Sequence, residues 1–266
     1  MSAGEPSQVW RRAVTGEMCW LGAGGQPQAL PVIPLLDGDV PCVAVPYAHA
    51  DAVTGLAEAS EVAFAVTDSR SLPAASAGRA VLGQVALTED TDGDVFAPEL
   101  LPQELAKYPP SRTLADSPLL CRENWWWLSR IIVRLPRVTR VVELPARSDP
   151  VRHALLVRDD GSGLALHTVA AREWSAPRIG LGRLGGGELR GDSGPALVVG
   201  YDYSMPDLER WESWLVRGSL LGDELLVSDR EGAPGKELGP LPLVDRIRRQ
   251  RALAKACQRG IAAAER

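Results

Sequence analysis

Ser193 stands in Gly191-Asp192-Ser193-Gly194-Pro195, and His49 closes Tyr47-Ala48-His49. A serine that hands its proton to an imidazole, itself oriented by a carboxylate, is the arrangement nucleophilic catalysis uses. Asp92, Asp94 and Asp116 supply the acid in workable chain order. A second chemistry is anion binding: Arg70 and Arg79 offer guanidinium forks beside the hydroxyls of Thr67 and Ser69. A third is metal ligation. The chain has 3 histidines, His49, His153 and His167, and a neutral imidazole with a free nitrogen is a good iron ligand. His49 and His167 are the candidates. Trp125-Trp126-Trp127 adds flat walls. On a strand, Trp126 shares one face with Arg130 and Arg134, so a planar anionic ligand would meet both, with Tyr47 as a further wall.

The elements that must hold these residues are mainly strands. Met18–Leu21, Ala29–Leu36 and Val40–Pro46 are apolar runs broken by GAGGQP and by Asp37-Gly38, a hairpin signal. Ala48–Ala59 has a helical spacing of apolar residues, and Val62–Thr67 and Ala80–Leu87 return to strands. Prolines 98, 102, 109, 110 and 118 limit the next stretch to short helices, around Gln103–Tyr108 and Thr113–Arg122. Strands over Trp125–Leu135 and Arg137–Leu144 follow. Ala154–Arg158 and Leu164–Val169 form a second hairpin around DDGSG. Gly180-Leu181-Gly182-Arg183-Leu184-Gly185 fits G-x-G-x-x-G. It lacks the strand before it and the helix after it that a pyrophosphate grip needs, so it reads as a loop. Leu243–Ala264 is a helix whose apolar side is Leu243, Ile247, Ala254, Cys257 and Ile261.

The two halves echo each other. Residues 62–90 and 195–229 share an apolar run, a polar excursion and a second run ending in Asp. Ala63-Phe64-Ala65-Val66 aligns with Ala196-Leu197-Val198-Val199, and Val81-Leu82-Gly83 with Leu220-Leu221-Gly222. Such an echo predicts a duplicated β module: a first module over 10–145, a second, degenerate one over 151–240, and a C-terminal helix over 241–266.

Composition narrows the partners. With 266 residues, 45% of them hydrophobic and 24% charged, the chain can bury a sizeable core. A net charge of −5 argues against a nucleic-acid-binding surface. No apolar run reaches the ~20 residues that span a bilayer. The four cysteines form no CxxC pair, so reduced thiols in a cytoplasmic protein without a membrane partner are the expectation.

Within PYAHADAVTGLAEASEVAFAVTD and the later GRAVLGQVALTED, the chain resembles the pyridoxamine 5′-phosphate oxidase-like, FMN-binding split-barrel family. The resemblance implies a mainly β fold, a split barrel duplicated as an intrachain pseudo-dimer. It implies a flavin-dependent oxidoreductase, or a flavin-binding relative, working on a small-molecule substrate by two-electron transfer through flavin N5. Tyr47, His49, Thr67, Ser69, Arg70, Arg79, Trp126 and Arg130 are its cofactor-binding candidates, and no residue stands out as a catalytic acid or base. The fold also resembles haem-binding relatives, in which His49 or His167 would be the iron ligand. A non-catalytic binding or scaffold module is the third reading. GDSGP with the His49 segment resembles trypsin-like serine hydrolases, the least favoured reading, because the second glycine after Ser193 is missing and His49 opens a helical stretch. Single-barrel relatives pair to enclose their cofactor, so a fused pair can act as a monomer or form a homodimer.

Overall fold

The computed structural model describes residues 4–115, 126–189, 193–206 and 208–266. Asp116, Cys121, Trp125, Gly191 and Asp192 lie outside them. After a short helix α1 (Gly4–Arg12), seven antiparallel strands form the first sheet: β1 (Gly16–Leu21), β2 (Pro27–Val32), β3 (Leu35–Asp37), β4 (Val40–Pro46), β5 (Val62–Val66), β6 (Gly78–Asp90) and β7 (Arg130–Leu144). Their order is β2-β1-β5-β6-β7-β4-β3. Helices α2 (Leu101–Lys107) and α3 (Pro109–Ala115) lie between β6 and β7.

The second sheet contains β8 (His153–Asp159), β9 (Leu164–Ala170), β10 (Arg178–Gly180), β11 (Gly182–Arg183), β12 (Gly194–Tyr203), β13 (Trp211–Leu221) and β14 (Glu224–Glu231). Its order, β11-β9-β8-β12-β13-β14-β10, repeats the first sheet from β2 to β4 with β9, β8, β12, β13, β14 and β10 in the same places. The protein is therefore mainly β, a split barrel present twice and followed by helix α4 (Leu243–Ala264).

Register corrects the alignment read from sequence. Val62 faces Gly83 on β6, and Ala196 faces Gly218 on β13. Both glycines sit at a bulge where a Cβ would collide with the facing carbonyl, of Arg137 and of Leu226 respectively. Gly83 thus corresponds to Gly218 rather than Gly222, which instead makes the left-handed turn into β14 with φ 62°. Ala63 corresponds to Leu197, one residue on from the sequence match.

Alternation along equivalent strands assigns the faces. Met18, Trp20, Phe64 and Val66 fill the first barrel, and Leu156, Val198, Trp214 and Val216 the second. The opposite faces meet each other. Small residues of the first sheet (Cys19, Ala63, Ala65, Ala80) receive Leu155, Val157, Leu197 and Val199 of the second. This apolar seam, which also takes in Leu82 and Leu144 of the first sheet and Leu164 and Leu166 of the second, holds the two modules face to face.

Three local expectations change. Residues 48–59 are two 3₁₀ turns, Tyr47–Val53 and Leu56–Glu58, because Gly55 takes a left-handed φ of 77° between them. Trp126 and Trp127 precede β7 instead of lying on it, so Trp126 shares no strand face with Arg130. On α4, Cys257 is buried and Ile261 packs on the first core, but Leu243 and Ile247 are 71% and 41% exposed. The first turns of α4 are held by ion pairs instead, Arg246 to Glu209 at 2.5 Å and Arg249 to Glu212 at 3.0 Å. No helix among the described residues is long and apolar enough to cross a membrane.

Candidate functional site

A cavity of about 480 Å³ opens where the first sheet ends, between β2 and β4, and is closed by parts from three other places. Helices α2 and α3 bring Glu104, Tyr108 and Ser111. Strand β13 of the second module brings Trp211 and Ser213, and α4 brings Leu253 and Cys257. The sequence explains the closure. Pro109-Pro110 cannot continue α2, so the chain turns at Tyr108 and starts α3 at a new angle. Helix α4 reaches the turn after β4 because Gly260 lets it lie on the Tyr47 carbonyl, which any side chain would strike.

Arg130, the first residue of β7, lines the cavity and is 1% exposed. Its guanidinium lies 4.2 Å over the Phe96 ring and 5.4 Å from that of Trp127. Its Nη1 donates to the carbonyls of Trp127 and Ser129. Its Nη2 reaches Glu104 Oε1 at 3.5 Å, a carboxylate that also accepts from Ser111 Oγ at 2.6 Å. Its Nε has no hydrogen-bond partner among the described residues. Burial pulls the Arg130 pKa down, partly offset by Glu104. Burial, reinforced by Glu104, pushes the Tyr108 phenol up to about 12. His49 sits at the exposed mouth without a hydrogen bond from the described residues, and the apolar wall behind it lowers its pKa. Trp127 packs edge-on to Phe96 with ring centroids 6.3 Å apart, and Tyr108 meets Trp211 at 6.1 Å.

Of the residues singled out from sequence, His49 and Arg130 meet in this cavity. Thr67, Ser69 and Arg70 meet elsewhere, in a polar cluster at the edge of the intermodule seam. There Arg147 bonds Glu17 at 2.5 Å and Thr67 at 2.7 Å, and Tyr201 of the second module donates to Glu17 at 2.8 Å. Arg70 is held by Asp68 and Asp202, both at 2.7 Å, and stacks on the Tyr203 ring at 3.8 Å. Ser69 donates its amide to the Arg147 carbonyl. These contacts tie the two modules together. Arg79 borders a separate depression with Arg12 and Glu143. Arg134 is taken by Asp37 at 2.5 Å and Thr88 at 2.8 Å. Tyr47 is buried in the first core, and Trp126 is half-buried outside the cavity lining.

One further expectation changes. His49 shares its cavity with Trp211, which faces Tyr203 at one end of β12, whereas Ser193 is exposed just before the other end. Ten residues of strand separate those ends, roughly 30 Å, so His49 cannot take a proton from Ser193. His167 points into the second barrel, where burial, with Arg183 and Arg158 nearby, lowers its pKa to about 4. The Gly180–Gly185 segment forms β10, β11 and a turn, with no helix among the described residues to receive a pyrophosphate. Sequence reading missed Glu104, Ser111, Trp211, Glu17 and Arg147. Only the Pro-Pro break after Tyr108 hinted that the α2–α3 segment folds over something.

No protein-family model matches the chain, and no curated protein matches it in sequence. Solved structures similar to it include a haem-binding protein from Mycobacterium smegmatis, 15% identical over 98% of this chain and 99% of that one, with a TM-score of 0.33. A haem storage protein from Vibrio cholerae is 10% identical over 55% of this chain and 98% of its own, with a TM-score of 0.37. A pyridoxamine 5′-phosphate oxidase-related, FMN-binding protein from Nostoc punctiforme is 10% identical over 79% of this chain and 89% of its own, with a TM-score of 0.31.

Proposed function

We propose that this protein binds a planar aromatic small molecule in the cavity between its barrels, and that the ring is a flavin's. The observation that carries this reading is Arg130: a side chain that lines an aromatic cavity with its guanidinium fully buried and its Nε–H without an acceptor among the described residues. Leaving such a donor unpaired costs about 1–3 kcal/mol, which a ligand oxygen would recover. Glu104 already balances the arginine's charge, so the matching acceptor is a neutral carbonyl rather than a carboxylate. An isoalloxazine carries such carbonyls at one end of a flat apolar body that Trp127, Tyr108 and Trp211 can enclose. A bound flavin would supply two-electron chemistry; the residues here hold and orient the ring and keep water from it. No described group in the cavity has the exposure and poise of a catalytic acid or base apart from His49 at the mouth.

The test is titration of the purified protein with riboflavin and FMN, followed by flavin fluorescence. Quenching is expected, weakened about tenfold in Arg130→Lys, which keeps the charge beside Glu104 but loses the Nε–H. Absence of quenching by either flavin overturns the reading. His49 favours a second one. Its unpartnered imidazole at the mouth of an apolar cavity suits haem iron. A Soret shift with haemin that disappears in His49→Ala, without flavin binding, would move the assignment there.

A further inference from the structure

We infer that this cavity selects its ligand by the ring and leaves a phosphate ungripped, so that uncharged riboflavin binds as tightly as FMN. The inference rests on the flavin reading and concerns what that site cannot hold. A dianionic phosphate leaves water only where two or more cations or convergent N–H groups replace its hydration. Among the described residues lining the cavity, Arg130 is the single cation, and it is spoken for by Glu104 and two carbonyls, with only Nε left.

The donors singled out from sequence lie elsewhere. Arg70 is gripped by two carboxylates in the seam cluster, and Thr67 donates to Glu17 at 2.7 Å. Arg134 is paired with Asp37, and Arg79 borders a different depression. On α4, Arg246 and Arg249 are bound to Glu209 and Glu212, and the exposed Arg251 and Lys255 stand outside the cavity lining. His49, the one titratable group at the mouth, is held toward its neutral form by the apolar wall. A phosphate carried on a flavin's side chain would therefore stay in solvent beyond His49, while the ring end meets Arg130.

Parallel titrations with lumichrome (the ring alone), riboflavin and FMN test this, at 50 and 500 mM salt. The expected result is dissociation constants within about threefold for riboflavin and FMN, no salt dependence for either, and no competition by inorganic phosphate. Arg130→Lys should weaken all three ligands by the same factor of about ten. FMN binding tenfold or more tighter than riboflavin, with the advantage lost at high salt, would overturn the inference while leaving the flavin reading intact. Failure of all three to bind the correctly folded wild-type protein would remove the flavin reading and this inference together. Lumichrome binding keeps the comparison decisive even if the Arg130 variant does not fold.

Discussion

Two buried arginines, each beside a buried glutamate and an aromatic ring, have opposite characters in this molecule. Arg147 lies in the seam with Nη2 on Glu17 at 2.5 Å, Nε on Thr67 at 2.7 Å, and Tyr201 under its guanidinium at 4.6 Å. Burial opposes its charge, yet Tyr201 and Glu17 together raise its pKa. Arg130 reaches Glu104 only at 3.5 Å, leaves Nε bare, and has its pKa lowered by burial. The first cluster closes a joint between modules. The second leaves one buried donor without a partner among the described residues. A short, directed ion pair marks structure; a long one with a spare donor on a cavity wall marks a place for a ligand.

The largest effect should come from breaking the seam. Arg147→Met strands Glu17, which is 0% exposed, and should cost about 3–5 kcal/mol in urea unfolding. A loss under ~1 kcal/mol would mean that the apolar seam alone joins the modules, and the contrast between the two arginines would fail. The next largest comes from the second barrel. Registers make His167 the counterpart of Leu30, a wall of the cavity in the first barrel. Its folded pKa of about 4 lies below the unfolded value, so the unfolded chain takes the proton first. Stability is then whole above about pH 6.5 and falls as the pH drops toward 4, by about 2 kcal/mol from this group. His167→Leu should flatten that slope in unfolding measured from pH 7 to 4. An unchanged slope would assign it to His49 and His153, whose pKa values are also lowered.

Much of the architecture was legible because strands carry a period of two whichever module they belong to. The hairpins at Asp37-Gly38 and DDGSG, the apolar run at 62–66 and helix α4 stand where the sequence places them. Register was not legible. Gly83 has two glycine counterparts in the second copy, and only the bulge distinguishes Gly218 from Gly222. The site was half legible for a related reason. His49 and Arg130 are conspicuous by type, but Glu104, Ser111 and Trp211 reach them through a proline-broken connection and a strand of the other module. Nothing local in the chain announces such contacts. Arginines 70 and 134 looked like ligand residues because sequence shows the cation and hides the carboxylate it faces.

A smaller effect separates the clusters by function. Arg130→Lys should lower flavin affinity about tenfold, or about 1.4 kcal/mol, and leave the unfolding midpoint nearly unchanged, since the ammonium still faces Glu104. Calorimetric unfolding with and without riboflavin reads both at once. A variant that loses stability but keeps its affinity would make Arg130 a structural residue like Arg147.

The smallest effect compares two serines. Ser71 Oγ accepts the buried Thr15 amide at 3.0 Å and shares a proton with Thr15 Oγ1 at 2.8 Å. Ser71→Ala leaves that amide unpaired and should cost about 1–2 kcal/mol. Ser111 Oγ donates to Glu104 at 2.6 Å, and Glu104 has a second donor waiting in Arg130 at a stretched 3.5 Å. Without the serine, the carboxylate can swing to the guanidinium and recover part of the loss, so Ser111→Ala should cost less than Ser71→Ala, under about 1 kcal/mol. Paired urea unfolding curves decide the order. If Ser111→Ala costs more, Glu104 is fixed in place and the Arg130 cluster is as rigid as the seam.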